Sequence, residues 1–119
     1  MSKVRGIRGA TTVNTNTRTE VIEATQEMLS VILDKNKLSI DDIAAAIFTT
    51  TEDINSEFPA YAARMIGWEH VALLDNTQMK VPDALKLCIR VLLLVNTDTP
   101  PNQIKNVYLN EAVNLRKNK

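Results

Sequence analysis

The sequence predicts an α+β (mixed α/β) fold, a mixed β-sheet packed against one long helix. Three observations lead there. Five short segments carry the alternation or the apolar density of strands. One stretch, with Val21, Ala24, Met28, Val31 and Ile32, repeats apolar residues at helical spacing. The segments do not follow the strict strand–helix–strand order of a doubly wound parallel sheet.

Val4 to Val13 reads as the first strand. Val4, Gly6, Arg8 and Ala10 share one face, and Arg5, Ile7, Gly9 and Thr11 the other. Glycine weakens a strand, so Gly6 and Gly9 mark close backbone approach or a bulge. Asn14 to Thr17 break the pattern. Thr17-Arg18-Thr19-Glu20 has the spacing of a capping box, and the long helix follows, ending at Asn36 and Lys37. Ser39 is a good N-cap for a short helix, with Leu38 and Ile43 at hydrophobic-staple spacing. The run AAAIFTTT follows as a second strand. Pro59 can start another helix and Gly67 can end it in a left-handed conformation. Val71 to Leu74 is a third strand. LKLCIRVLLLVN is ambiguous: leucine favours helix, but a continuous apolar run is also how a buried strand reads. We assign a strand. A loop and a helical turn lead to a last strand at Lys105 to Leu109. The tail, with Arg116, Lys117 and Lys119, is expected to fray. One helix cannot cover both faces of such a sheet, so the other face calls for a second copy.

Composition narrows the function. At 119 residues the chain is read as one domain, residues 1–119. Lysine plus arginine number 14 and aspartate plus glutamate 14, so nothing pulls the chain as a whole toward nucleic acid or an anionic membrane. Zero net charge also does little to resist self-association. Cys88 is the only cysteine, which rules out an intrachain disulfide and CxxC metal sites and fits a cytoplasmic location. The N-terminus lacks the apolar core of a signal peptide. The longest apolar run falls short of the roughly 20 residues a spanning helix needs. His70 is the only histidine, and the three glycines form no phosphate-cradling loop.

What remains is arginine. Arg90 sits in CIRVLLLVN, inside an apolar run, where an unpaired buried charge is costly. Either it reaches out of the core or pairs with a structural carboxylate, or an anionic ligand comes to meet it. Arg8, Arg5 and Arg64 each also fit a solvent-facing position when taken alone. Two or three arginines converging on a cleft suit a ligand with more than one carboxylate, because guanidinium matches carboxylate in a two-point fork. Tyr108 packs its ring and keeps a hydroxyl free to bind. Trp68 reads as a core or interface residue. The chain therefore offers cations but little acid–base machinery. That suits anion binding, or a reaction that needs positioning and electrostatics rather than proton transfer.

VRGIRGATTV, FPAYAARMIGW, CIRVLLLVNTDTP and QIKNVYLNEAVNLR, in this order over nearly the whole chain, resemble the AroH class of monofunctional chorismate mutases. The resemblance implies a trimer forming a pseudo-α/β-barrel, with active sites at the subunit interfaces. It implies the Claisen rearrangement of chorismate to prephenate, in phenylalanine and tyrosine biosynthesis, with no cofactor and no metal. By the family pattern Arg90 is the cation at the breaking ether oxygen and also grips a carboxylate. Arg8 binds the other end of the substrate, and Tyr108 contacts a carboxylate. Phe58, Ala60 and Arg64 match the segment donated by the neighbouring subunit. Leu115 and Arg116 match tail residues that close over the site.

One position departs. The family pattern places a glutamate before Met79, where this chain has Gln78. That glutamate contacts the ring hydroxyl and helps balance charge around the arginine. Glutamine can still accept from a hydroxyl, but without the charge. Asp75, where relatives can carry a cysteine, is the candidate to supply the missing negative charge. Two other readings stand beside an active mutase. One is an impaired homologue that binds chorismate, prephenate or a similar dicarboxylate. The other is a trimeric small-molecule-binding or imine-hydrolysing protein with a similar assembly, which the VYL and FPA segments argue against.

Overall fold

Alternation in the first strand is what divides the molecule into two sides. A computed structural model describes residues 2–115, so the expected fraying of the tail lies outside the described residues. In β1 (Lys3–Thr12), Ile7, Gly9 and Thr11 are buried under a helix, while Val4, Gly6 and Arg8 stay exposed. The helix is α1 (Arg18–Asn36), whose Val21, Ile22, Met28, Leu29 and Ile32 supply the buried stripe. Gly9 is required where the two meet. A Cβ there would lie 2.5 Å from Ile32 Cδ1 and 3.2 Å from Val91 Cγ1. At Gly6, which points the other way, a Cβ would make only an ordinary contact with Leu92, at 3.5 Å.

Thr17 caps α1 as the sequence predicts, accepting from the Glu20 N–H at 3.3 Å. The capping box is only half made, however. The Glu20 carboxylate turns to the Asn14 N–H and the Thr15 hydroxyl instead, which ties down the loop before the helix. Lys37 ends α1 in the left-handed conformation. The short helix expected after Ser39 is a single 3₁₀ turn, Ile40–Asp42, with the Asp42 carboxylate accepting the Ser39 N–H.

The sheet is mixed, in the order β3-β2-β4-β1-β5. The remaining strands are β2 (Ile43–Thr50), β3 (Ala72–Thr77), β4 (Cys88–Thr97) and β5 (Val107–Tyr108). β4 is central and antiparallel to both β1 and β2, whereas β3 runs parallel to β2 and β5 parallel to β1. The ambiguous CIRVLLLVN segment is therefore a strand. Ile89, Val91, Leu93 and Val95 enter the core beneath α1, with Phe48 and Trp68 as its largest aromatic members.

The expectation of a single long helix needs correction. The helix expected to start at Pro59, α2 (Pro59–Met65), joins α1, packing against it and the β3 edge. Pro59 presets its first turn, and Ala60, Ala62 and Ala63 are small enough to be buried there. The opposite face of the sheet carries no helix among the described residues. Leu74 and Val4 are more than half exposed on it and Leu92 is 38% exposed, beside the half-buried Ile47 and Leu94. No helix of the described chain is long and apolar enough to cross a membrane.

Candidate active site

The uncovered face brings the strand arginines together. Ala10 pairs with Arg90 on one side and with Tyr108 on the other, and Arg90 also pairs with Thr49. One row across the sheet thus reads Thr49, Arg90, Ala10, Tyr108. Arg8 pairs with Leu92, one step along the same face, so it is a diagonal neighbour of Arg90 at a Cα separation of roughly 7–8 Å. Both arginines are exposed, and neither pairs with a carboxylate among the described residues. Tyr108 is half-buried. The placement of Arg90 in an apolar run is thereby explained: its neighbours Ile89 and Val91 face the core while it faces out. Its guanidinium meets the Cys88 thiol, whose pKa is pushed up by burial and opposed by the nearby Arg90 charge and hydrogen bond.

Gln78 follows β3 and is anchored by its backbone N–H to the Thr50 carbonyl at 2.8 Å. Its Oε1 is buried and finds no hydrogen-bond partner among the described residues. Leu115 is half-buried, at the end of the 3₁₀ turn Asn110–Asn114. The Asn110 amide holds that turn on Thr11 and Thr12, at the end of the sheet nearest Arg90. Arg116 lies outside the described residues.

A second group gathers at α2, on the far edge. Phe58 is its N-cap residue and is 65% exposed, while Ala60 is buried. Arg64 is exposed and stacks over the Tyr61 ring at 5.9 Å; Arg18 lies over the same ring at 5.4 Å and pairs with Glu57 at 3.0 Å. Asp75 belongs to this group. It pairs with Phe48 on the helix-covered side and accepts the Ala60 N–H at 3.0 Å. Burial raises its carboxyl pKa, while the Ala60 hydrogen bond and the Arg64 charge oppose the rise. Within one chain, then, Asp75 does not stand beside Arg90. Strand alternation turns it to the opposite face, where it already serves α2 and Arg64.

The remaining expectations sort simply. Arg5 faces away from the arginine row and donates to the Thr99 carbonyl at 3.2 Å. His70 is exposed, and Trp68 is fully buried. Sequence reasoning missed Tyr61, Thr51 and Asp53, since nothing local in FPAYAAR or TTEDI marks them. It also missed Asn106, whose side chain accepts the Arg8 N–H at 2.8 Å.

Two concavities among the described residues lie apart from the arginine row. One of about 370 Å³ is lined by Glu20, Glu23, Glu27 and Glu111, which would repel an anion. The other, of about 440 Å³, is lined by Lys35, Lys37 and Lys105 at the C-terminal end of α1. Arg8 and Arg90 stand exposed on the face that no described helix covers.

A mixed sheet backed by α1 and α2, with arginines and a tyrosine on its bare face, defines a protein that handles small anions without evident acid–base groups. The chain belongs to the chorismate mutase type I family, whose sequence profile matches residues 4–119. Chorismate mutase AroH of Thermus thermophilus is 51% identical over 114 residues, covering 95% of this chain and 93% of the relative. Chorismate mutase AroH of Bacillus subtilis (strain 168) is 40% identical over 114 residues, covering 95% and 90%. The solved structure of a chorismate mutase from Clostridium thermocellum superposes with a TM-score of 0.90 at 48% identity, covering 92% of this chain and 97% of that one.

Proposed function

We propose that this chain catalyses the rearrangement of chorismate to prephenate, in a cytoplasmic homotrimer whose pseudo-α/β-barrel places each active site between two subunits. The observation that carries this reading is the arginine row: Arg90 and Arg8 on one face that no described helix covers, beside Tyr108, with no carboxylate pairing with them among the described residues. Chorismate carries two carboxylates, a ring hydroxyl and an ether oxygen. In the rearrangement the ether C–O bond breaks as a C–C bond forms, within one molecule and without proton transfer. The protein has two tasks. It holds the extended ligand in the reactive chair, and it sets positive charge where negative charge grows on the ether oxygen.

Arg90 supplies that charge and grips one carboxylate with its fork. Arg8 and Tyr108 hold the other end. Gln78 offers its Oε1 to the ring hydroxyl, which fits an acceptor that is buried yet without a partner among the described residues. Phe58, Ala60, Arg64 and Asp75 reach the site from the neighbouring copy, and Leu115 and Arg116 close it. Two features support shared sites. The α2 group stands away from the arginine row of its own chain, and the bare sheet face exposes Val4, Leu74 and Leu92, which a second copy would bury.

The test is direct. Purified protein is mixed with chorismate, loss of its ultraviolet absorbance is followed, and prephenate is confirmed as product, with Arg90→Ala beside it. Turnover lost in the variant supports the reading. No turnover from a folded wild-type trimer would replace it with a dicarboxylate-binding homologue, for which Gln78 is the specific motive.

A further inference from the structure

We infer that Asp53 is a positioning residue for Arg90, acting through a left-handed Leu87 at the root of β4. The inference rests on the reading that Arg90 is the reaction's cation. Leu87 has φ 50, a conformation that side chains other than glycine adopt reluctantly. It stands immediately before Cys88, and Arg90 follows two residues later.

Four groups hold this point. Both Asp53 carboxylate oxygens accept the Leu87 N–H, at 3.2 and 3.0 Å. The Thr51 hydroxyl donates to Asp53 Oδ1 and accepts the Cys88 N–H at 3.0 Å. The Thr51 N–H donates to the Cys88 carbonyl at 3.0 Å. From the other side, the Val13 N–H donates to the Leu87 carbonyl at 3.0 Å. The backbone of Leu87 and Cys88 is thus clamped between the chain leaving β2 and the chain leaving β1.

The clamp bears on the arginine because side chains alternate along a strand. A one-residue slip at the start of β4 would turn Arg90 under α1 and bring Ile89 or Val91 out. Smaller errors matter too, since a misplacement of about 1 Å in a catalytic group can cost on the order of a hundredfold in rate. Asp53 is half-buried and lies on neither the arginine row nor the α2 group, so its effect on the reaction runs through Leu87 and Cys88.

Steady-state kinetics on the trimer test this, with wild type, Arg90→Ala, Asp53→Ala, Asp53→Asn and the double variant Asp53→Ala/Leu87→Gly. For Asp53→Ala, kcat should fall about tenfold or more while KM changes less than about threefold. Asp53→Asn keeps an acceptor oxygen for the Leu87 N–H and should stay within about threefold of wild type. Glycine takes positive φ without strain, so the double variant should regain at least about threefold in kcat over Asp53→Ala. If Asp53→Ala does not fold, Thr51→Val cuts the same clamp at the bridging hydroxyl, and the same loss is expected. A folded Asp53→Ala (or Thr51→Val) trimer with wild-type kcat would overturn the inference. So would equal impairment of the alanine and asparagine variants with no rescue by glycine, which would make charge rather than geometry the cause. Inactive wild type would overturn the functional reading itself. Active wild type, inactive Arg90→Ala and a fully active Asp53→Ala would overturn the positioning role alone.

Discussion

Replacing Gln78 by glutamate should make the enzyme faster. The backbone of residue 78 is held by Thr50 at 2.8 Å, so the exchange alters the end of one side chain and leaves its root in place. The acceptor it presents, Oε1, is buried and has no partner among the described residues, which suits a hydroxyl donor. A hydrogen bond to a charged group contributes roughly 1.5–3 kcal/mol against roughly 0.5–1.5 for a neutral one. The central difference, about 1.3 kcal/mol, corresponds to about tenfold if it is expressed in the transition state. Steady-state kinetics with chorismate should then show kcat/KM for Gln78→Glu about tenfold above wild type at neutral pH. A second signature separates charge from shape. Wild type has no ionisable group at position 78, whereas the variant should lose its advantage as pH falls through the range where the new carboxylate protonates. A variant no faster than wild type, or one whose advantage persists in acid, would refute the argument that a lost charge at this position limits the reaction.

Other expectations address assembly, packing and pH. Mixing Arg90→Ala with Arg64→Ala subunits, unfolded and reassembled at equal ratio, should restore about a quarter of the sites if, as proposed, a site takes Arg90 from one copy and Arg64 from its neighbour; activity that stays at the level of the separate variants would place both arginines in one chain's site. Gly9→Ala should destabilise by about 1–3 kcal/mol, since its Cβ would meet Ile32 at 2.5 Å, and urea unfolding of the purified variant measures this. Gly6→Ala, with 3.5 Å to spare toward Leu92, should leave the subunit fold intact but weaken the trimer by light scattering if a second copy packs on that face. The pKa of Asp75 is raised by burial, so the stability linked to it is full below the ordinary carboxylate value of 3.8 and is lost as pH rises through the folded value. Glu20 is lowered by the Thr15 and Asn14 hydrogen bonds, so its contribution is present above the ordinary 4.5 and lost as pH falls. Urea midpoints between pH 3 and 7 should therefore lose their downward limb in Asp75→Asn and their acid-side limb in Glu20→Gln.

Much of the sheet could be read from periodicity, because one face of it is buried. The two faces assigned to β1 are the two observed, and the close approach expected at Gly9 is the contact with α1. The errors lie where side chains compete with the backbone ladder. LKLCIRV reads as strand from Leu85, yet β4 begins at Cys88 because Asp53 holds Leu87 in a turn. Lys105 to Leu109 reads as one strand, yet only Val107 and Tyr108 pair, since Asn106 offers its side chain to Arg8. Glu20 has the capping-box spacing, but the loop before it presents better donors. None of these choices leaves a periodic trace, because each is made by a polar side chain meeting a segment distant in sequence or folded back on it.

The candidate site was legible for a different reason. Arg90 violates the apolar pattern around it, and such a violation persists where something outside the core makes use of it. Residues whose roles agree with the local pattern gave no such signal. Asp75 looks like an ordinary strand-end acid, and Asp53 like an ordinary turn residue; their duties became visible only when β2, β3 and α2 came together. The same geometry leaves the candidate residues in two groups among the described residues. β4 presents Arg90 on the face that α1 leaves bare, while α2 carries Arg64 and Phe58 on the side that α1 covers. No bend within the chain can bring those faces together without breaking the core between them. On the proposed reading a site that uses both groups is built between copies, which would tie the completeness of the active site to the strength of the assembly.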